Sequence, residues 1–120
     1  MGALKDKSFE FAIRVVKLNK FLVSEKKEFI LSKQIMRSGT AIGALYREAE
    51  FAESKADFIH KLAIAQKECN ETIYWLELLF ATDYLLEEEF NSLNIEAIEL
   101  IKLLTSIIKS TKKNQLKTKL

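Results

Sequence analysis

Seven positions do most to limit what this chain can become. Phe58, Leu62, Ala65, Cys69, Thr72, Leu76 and Leu79 follow one another at alternating steps of four and three residues. Only an α-helix brings such positions onto one face, and the regular alternation is the seam of a helix packed at a shallow angle against its neighbours. Proline is absent from the 120 residues, and glycine occurs only as Gly2, Gly39 and Gly43. A strand-rich fold with many tight turns lacks the residues it would need. Apolar residues make up 48% of the chain against a net charge of +2, which argues against disorder. The length suits one domain around one core, and a single cysteine, Cys69, excludes a disulfide framework.

Three further helices can be read around that seam. The first is expected from Ser8 to Val23, after an N-terminal arm of residues 1–7, with Ser8 as N-cap and Glu10 near the positive helix start. Its core positions are Phe11, Val15, Leu18 and Leu22, and Ala12, Val16 and Phe21 widen the stripe. The second, from Glu28 to Glu53, places Leu31, Ile35, Ile42, Tyr46 and Ala49 on one face. Ser38, Gly39, Thr40 and Gly43 interrupt it, and each internal glycine costs ~1 kcal/mol relative to alanine. Close approach of a neighbouring helix would offset that cost; a local kink is the alternative.

Ser54 and Asp57 form an S-x-x-D capping signature that opens the third helix, which is expected to end at Thr82–Asp83. The fourth begins at Glu87, where three glutamates complement the helix dipole. Phe90, Leu93, Ala97, Leu100, Leu104 and Ile107 form its core face, and Ile95, Ile98, Ile101 and Ile108 broaden it. Residues 111–120 read as a basic, frayed tail. The expected fold is all-α, an up-down-up-down antiparallel four-helix bundle over residues 8–110. Apolar residues beyond one internal seam on the first and fourth helices predict contacts between subunits.

The net charge is a cancellation. Residues 1–67 hold thirteen basic and eight acidic side chains, residues 68–101 hold nine acids and no Lys or Arg, and residues 102–120 hold six lysines and no acid. One reading is a set of solvated helix faces. The other is a heterologous contact in which a basic face meets an acidic face of the next subunit, an arrangement that closes into rings.

No catalytic, cofactor-binding or metal-binding residue is expected. A di-metal bundle site needs two Glu-x-x-His motifs, and the nearest match is the single Asp57-x-x-His60. Cys69 lies on the apolar seam, where an inert thiol is the default. Gly39 and Gly43 sit inside a helix and make no phosphate loop. No apolar run approaches the ~18–20 residues that span a bilayer, and the opening MGALKDKSFEF lacks a signal-peptide core, so the expected compartment is the cytoplasm, without membrane or small-molecule partners.

Polar residues inside the second and third helices are more informative. If these helices run antiparallel about Ser54, Arg37 falls level with Glu71 and one turn from Glu68, and Glu48 falls level with Lys61. Arg37, Arg47, Glu48, Glu68 and Glu71 are therefore candidate helix-pair or interface residues. Lys33, Arg37, Arg47, Lys112 and Lys113 are candidate nucleic-acid contacts, since binding to phosphates needs positive charge gathered on one surface.

The run Gln34–Met36–Arg37–Ser38–Gly39–Thr40–Ala41–Ile42–Gly43–Ala44, followed by Tyr46–Arg47–Glu48–Ala49, carries a family resemblance. SKADFIHKLAIAQKECNET at 54–72, Tyr74–Trp75–Leu76–Glu77–Leu78–Leu79 and Thr82–Asp83–Tyr84–Leu85 extend it. These segments resemble the 23S rRNA-intervening-sequence protein family of small bacterial four-helix bundles. The resemblance implies a cytoplasmic protein without enzymatic activity or cofactor that assembles into a ring of five subunits. A related branch, the accessory variability determinants of diversity-generating retroelements, binds nucleic acid and a reverse transcriptase, which implies an RNA- or nucleoprotein-binding adaptor as the alternative. Where the family usually reads S-I-G-A-N, this chain has Ala41 and Leu45 in place of the polar Ser and Asn.

Overall fold

The computed structural model describes residues 2–119, with side chains to Leu116. Four α-helices follow in order: α1 (Gly2–Ser24), α2 (Leu31–Glu50), α3 (Lys55–Ala81) and α4 (Glu87–Lys119). No strand occurs among the described residues. Helix α1 touches α2 and α4, and α3 touches α2 and α4, while the diagonal pairs stay apart. The result is a rod of four helices, 56 × 22 × 21 Å.

The core follows the periodic stripes. On α3, Leu62, Ala65, Cys69, Thr72, Leu76 and Leu79 are fully buried, with Phe58 packed against the core at the near end. From α1 come Phe11, Val15, Leu18 and Leu22; from α2, Ile35, Ile42, Tyr46 and Ala49; from α4, Leu93, Ala97, Leu100, Leu104 and Ile108. Ile108 takes the last buried place instead of the expected Ile107, which is only partly covered. Thr72 is the one polar member of the α3 seam. Its hydroxyl bonds the Ser38 hydroxyl at 2.9 Å and the Glu68 carbonyl at 2.8 Å, so no buried polar group is stranded there.

Glycine in α2 answers a close helix approach. A methyl group at Gly39 would lie 2.8 Å from Cγ2 and 2.9 Å from Cγ1 of Val15, while one at Gly43 would lie 3.4 Å from the Ser8 carbonyl and hydroxyl oxygens. Backbones of α1 and α2 thus come together where a side chain would hold them apart.

Four boundaries differ from expectation, one of them the end of α2, which stops at Glu50 instead of Glu53. Residues 2–7 are helical and not an arm, because Leu4, seven positions before Phe11, extends the same stripe and is completely buried. Ser8 is consequently a buried interior residue bonded to the Lys5 carbonyl at 3.2 Å, and caps nothing. Helix α2 starts at Leu31, with Ile30 at the N-cap position and Glu28 left outside the helix. The Glu28 carboxylate accepts the backbone N–H of Ser32 at 2.7 Å, Leu31 at 3.0 Å and Ile30 at 3.2 Å, three of the donors a helix start leaves free. Helix α4 continues through residues 111–119, where Thr111 is half-buried and bonds the Ile107 carbonyl at 2.8 Å. The third helix begins as expected: Ser54 Oγ accepts the Asp57 N–H at 3.0 Å, and Asp57 accepts the Glu53 N–H at 3.2 Å.

Candidate functional site

The α2–α3 pair holds the polar residues singled out in the sequence. The Arg37 guanidinium donates to Glu68 at 3.0 Å and also to Glu71. Glu71 accepts the Trp75 indole N–H at 3.0 Å as well, and Lys61 reaches Glu48 at 3.3 Å. This is the register expected for antiparallel helices meeting at Ser54. The Arg37 side chain is 53% exposed, so the pairs fix alignment more than they add stability.

Charge pairing extends to the other side of the rod. Lys7 binds Glu99, Arg14 binds Glu96, and Arg14 donates to the Ser92 hydroxyl at 3.0 Å. Glu68, Glu71, Glu96 and Glu99 of the acidic block are thus bound by cations from the first half of the same chain. The segregation seen along the sequence is partly resolved inside one bundle. Sequence reasoning missed the α1–α4 pairs; the signal was Lys7 and Arg14 seven residues apart on one stripe, facing Glu96 and Glu99 three apart on another.

The candidate nucleic-acid contacts do not converge. Lys33 is exposed at the start of α2 and Arg47 at its end, about 21 Å away along the helix axis. Arg37, between them, is engaged with carboxylates. Lys112 and Lys113 are exposed on α4, which does not touch α2. Arg47 lines a groove of about 490 Å³ between α1 and α2, with Lys5, Phe9, Ala12, Thr40 and Gly43 among its walls.

Groups with catalytic chemistry are poorly placed for it. The Cys69 thiol is buried, 3.2 Å from the Ala97 carbonyl, and burial pushes it up to about 12. A thiol held protonated at neutral pH is no nucleophile. His60 is exposed on α3, and its sequence neighbour Asp57 is occupied at the helix cap. No group of three or more His, Cys, Asp or Glu residues suited to a metal ion occurs among the described residues. No helix among them is long and apolar enough to cross a membrane.

Residues 3–106 match the family model described as 23S rRNA-intervening sequence protein. The chain belongs to this family. A crystal structure of a protein with unknown function from the S23 ribosomal protein family of Bacteroides thetaiotaomicron is 62% identical and superposes with a TM-score of 0.89, over 90% of this chain and 96% of that one. Among curated proteins, none matches. In this member of the 23S rRNA-intervening sequence family, the run from Arg37 to Ala44 is chiefly a packing device. Arg37 reaches across to α3, Ser38 meets Thr72, and Gly39 and Gly43 admit α1. Leu45 packs against the core.

Proposed function

We propose that this protein is a non-enzymatic, self-assembling subunit of the cytoplasm: an up-down-up-down four-helix bundle whose copies close into a ring, five in number as the family resemblance implies. The observation that carries this reading is apolar surface on helix faces. Phe9 is 59% exposed, Ile13 41%, Ile95 64% and Ile98 37%. Single exposed apolar residues are ordinary, but pairs one turn apart on two helices of a rod this small form patches of the kind that mark interfaces. Opposed contact registers between α2 and α3, and between α1 and α4, support the up-down arrangement. The buried Cys69 thiol and the isolated His60 support a role without catalysis. Light scattering on the purified chain at micromolar concentration tests the reading. A mass of five chains is expected, and a monomer or dimer mass overturns the ring.

A second reading, an RNA- or nucleoprotein-binding adaptor, is favoured by one observation: Lys33, Arg47, Lys112 and Lys113 are exposed and form no ion pair among the described residues. Arg37 contributes less, being held by Glu68 and Glu71. Phosphate contacts are strongest at low salt. Binding of a mixed RNA pool that weakens steeply as salt rises supports the adaptor, and no binding at low salt removes it.

A further inference from the structure

The exposed apolar residues fall into two patches on opposite edges of the rod. Phe9 and Ala12 line the α1–α2 groove, and Ile13 and Val16 continue the same stripes one turn on. On α4, Thr105 bonds Gln66 of α3 at 2.7 Å, which identifies the stripe facing the α3–α4 edge. Asn94, Ile98 and Ile101 share that stripe at helical spacing, and Ile95 lies beside it. Tyr74 of α3, 56% exposed, sits near the same edge, eight residues along from Gln66. Because α1 touches α2 and α4 but not α3, the α1–α2 and α3–α4 edges face away from each other.

The two patches also share one height. Lys7 meets Glu99 and Arg14 meets Ser92, so Phe9 and Ile13 lie level with residues 92–99, which include Ile95 and Ile98. An edge-to-edge contact between copies then needs no slide along the rod axis. Charge follows the same levels. The α2–α3 register that sets Arg37 against Glu71 puts Lys33 level with Trp75, two residues from Glu77, and the α1–α4 register that sets Lys7 against Glu99 puts Lys20 within one residue of Glu87. Lys20, Lys33, Glu77 and Glu87 are exposed and form no ion pair among the described residues. Lys20 and Lys33 lie on the α1–α2 side, Glu77 and Glu87 on the α3–α4 side, so two copies pointing the same way bring cation to carboxylate.

From these observations, and resting on the self-assembly reading above, we infer that the α1–α2 edge of one copy docks in parallel on the α3–α4 edge of a second copy. Phe9 and Ile13 pack on Tyr74, Ile95 and Ile98, and Lys20 and Lys33 pair with Glu77 and Glu87 of the neighbour. The contact is heterologous, with different surfaces on its two sides, and an open chain of copies keeps one free edge of each kind until the ring closes.

Two single substitutions test this. Phe9→Asp blocks only the first edge and Ile98→Asp only the second; both sites are exposed, and circular dichroism checks that each variant remains helical. Each variant alone is expected to sediment as a monomer. Mixed in equal amounts at high micromolar concentration, they are expected to form a 1:1 heterodimer through the one intact junction and no larger species. If Phe9→Asp dissociates the assembly and Ile98→Asp does not, the contact is isologous and the inference is overturned. If both variants keep the wild-type mass, self-assembly stands and these edges are the wrong ones. A monomeric wild type overturns the self-assembly reading together with this inference.

Discussion

Gly39→Ala is a one-methyl probe of whether close helix approach is what the glycines in α2 are for. In an isolated helix the change gains about 1 kcal/mol, since alanine is the better helix former. In the bundle the new methyl would meet Val15 at 2.8 and 2.9 Å, well inside van der Waals contact. Val15 is 1% exposed and β-branched, so it has almost no alternative rotamer inside a helix. Overpacking of this kind costs about 1–3 kcal/mol. The net expectation is a loss of up to about 2 kcal/mol, the steric cost exceeding the propensity gain. Gly43→Ala is the control. Its methyl would meet Ser8 at 3.4 Å, an ordinary contact, so the propensity gain should survive and stability should hold or rise by up to about 1 kcal/mol. Urea unfolding followed by circular dichroism, at one fixed protein concentration, measures both. For a slope of about 2 kcal/mol per molar, typical of small proteins, Gly39→Ala lowers the midpoint by up to about 1 M. A second variant checks the cause: Val15→Ala makes room, so Gly39→Ala should cost less in that background. If Gly39→Ala is as stable as Gly43→Ala, the close approach of α1 is not what glycine serves.

Three further outcomes follow from the local chemistry. Arg37→Met should cost less than about 1 kcal/mol, because its ion pairs are solvent-exposed, yet it should leave Glu68 and Glu71 unmatched on one face; unchanged unfolding and unchanged assembled mass together would remove any structural role for Arg37. Burial pushes the Glu28 carboxyl up, but the backbone N–H groups of Leu31, Ser32 and Ile30 outweigh it and hold it below its ordinary value. Its contribution is therefore complete above the unfolded-state value of about 4.3 and is lost as pH falls through the lower folded value. Glu28→Gln should cost about 1 kcal/mol at pH 7 and less at pH 3, a narrowing that thermal melts at the two pH values will detect. Cys69, raised to about 12 by burial, should resist a thiol-reactive dye at pH 8 in the folded protein and react with one equivalent in denaturant; rapid native labelling would mean that the seam opens.

The α3 seam was fully legible. Its strict alternation named the buried residues from Leu62 to Leu79, and the S-x-x-D signature located the cap at Ser54. The α2–α3 register was also legible, because one short link between two long helices leaves a single antiparallel alignment to count along. Element ends were less so. Leu4 reads as an arm residue when only Ser8 and Glu10 are weighed, and only its place in the packed core makes residues 2–7 helical. Glu28 looks like the first residue of a helix by composition, but its carboxylate does more for the chain outside the helix, satisfying free N–H groups of the first turn.

What the sequence determined alone is the class of fold: local periodicity, the absence of proline and the caps all act within a few residues, so they can be read from the order of residues. What only the tertiary structure decided depends on which helices become neighbours. Helix α1 beside α4 turned Lys7 and Arg14 into partners of Glu99 and Glu96, and so absorbed part of a charge segregation that looked available for other molecules. The same packing put Phe9 and Ile13 level with Ile95 and Ile98 on opposed edges. Relations of that kind join residues more than eighty positions apart, and a local pattern supplies the stripes without fixing which of them meet.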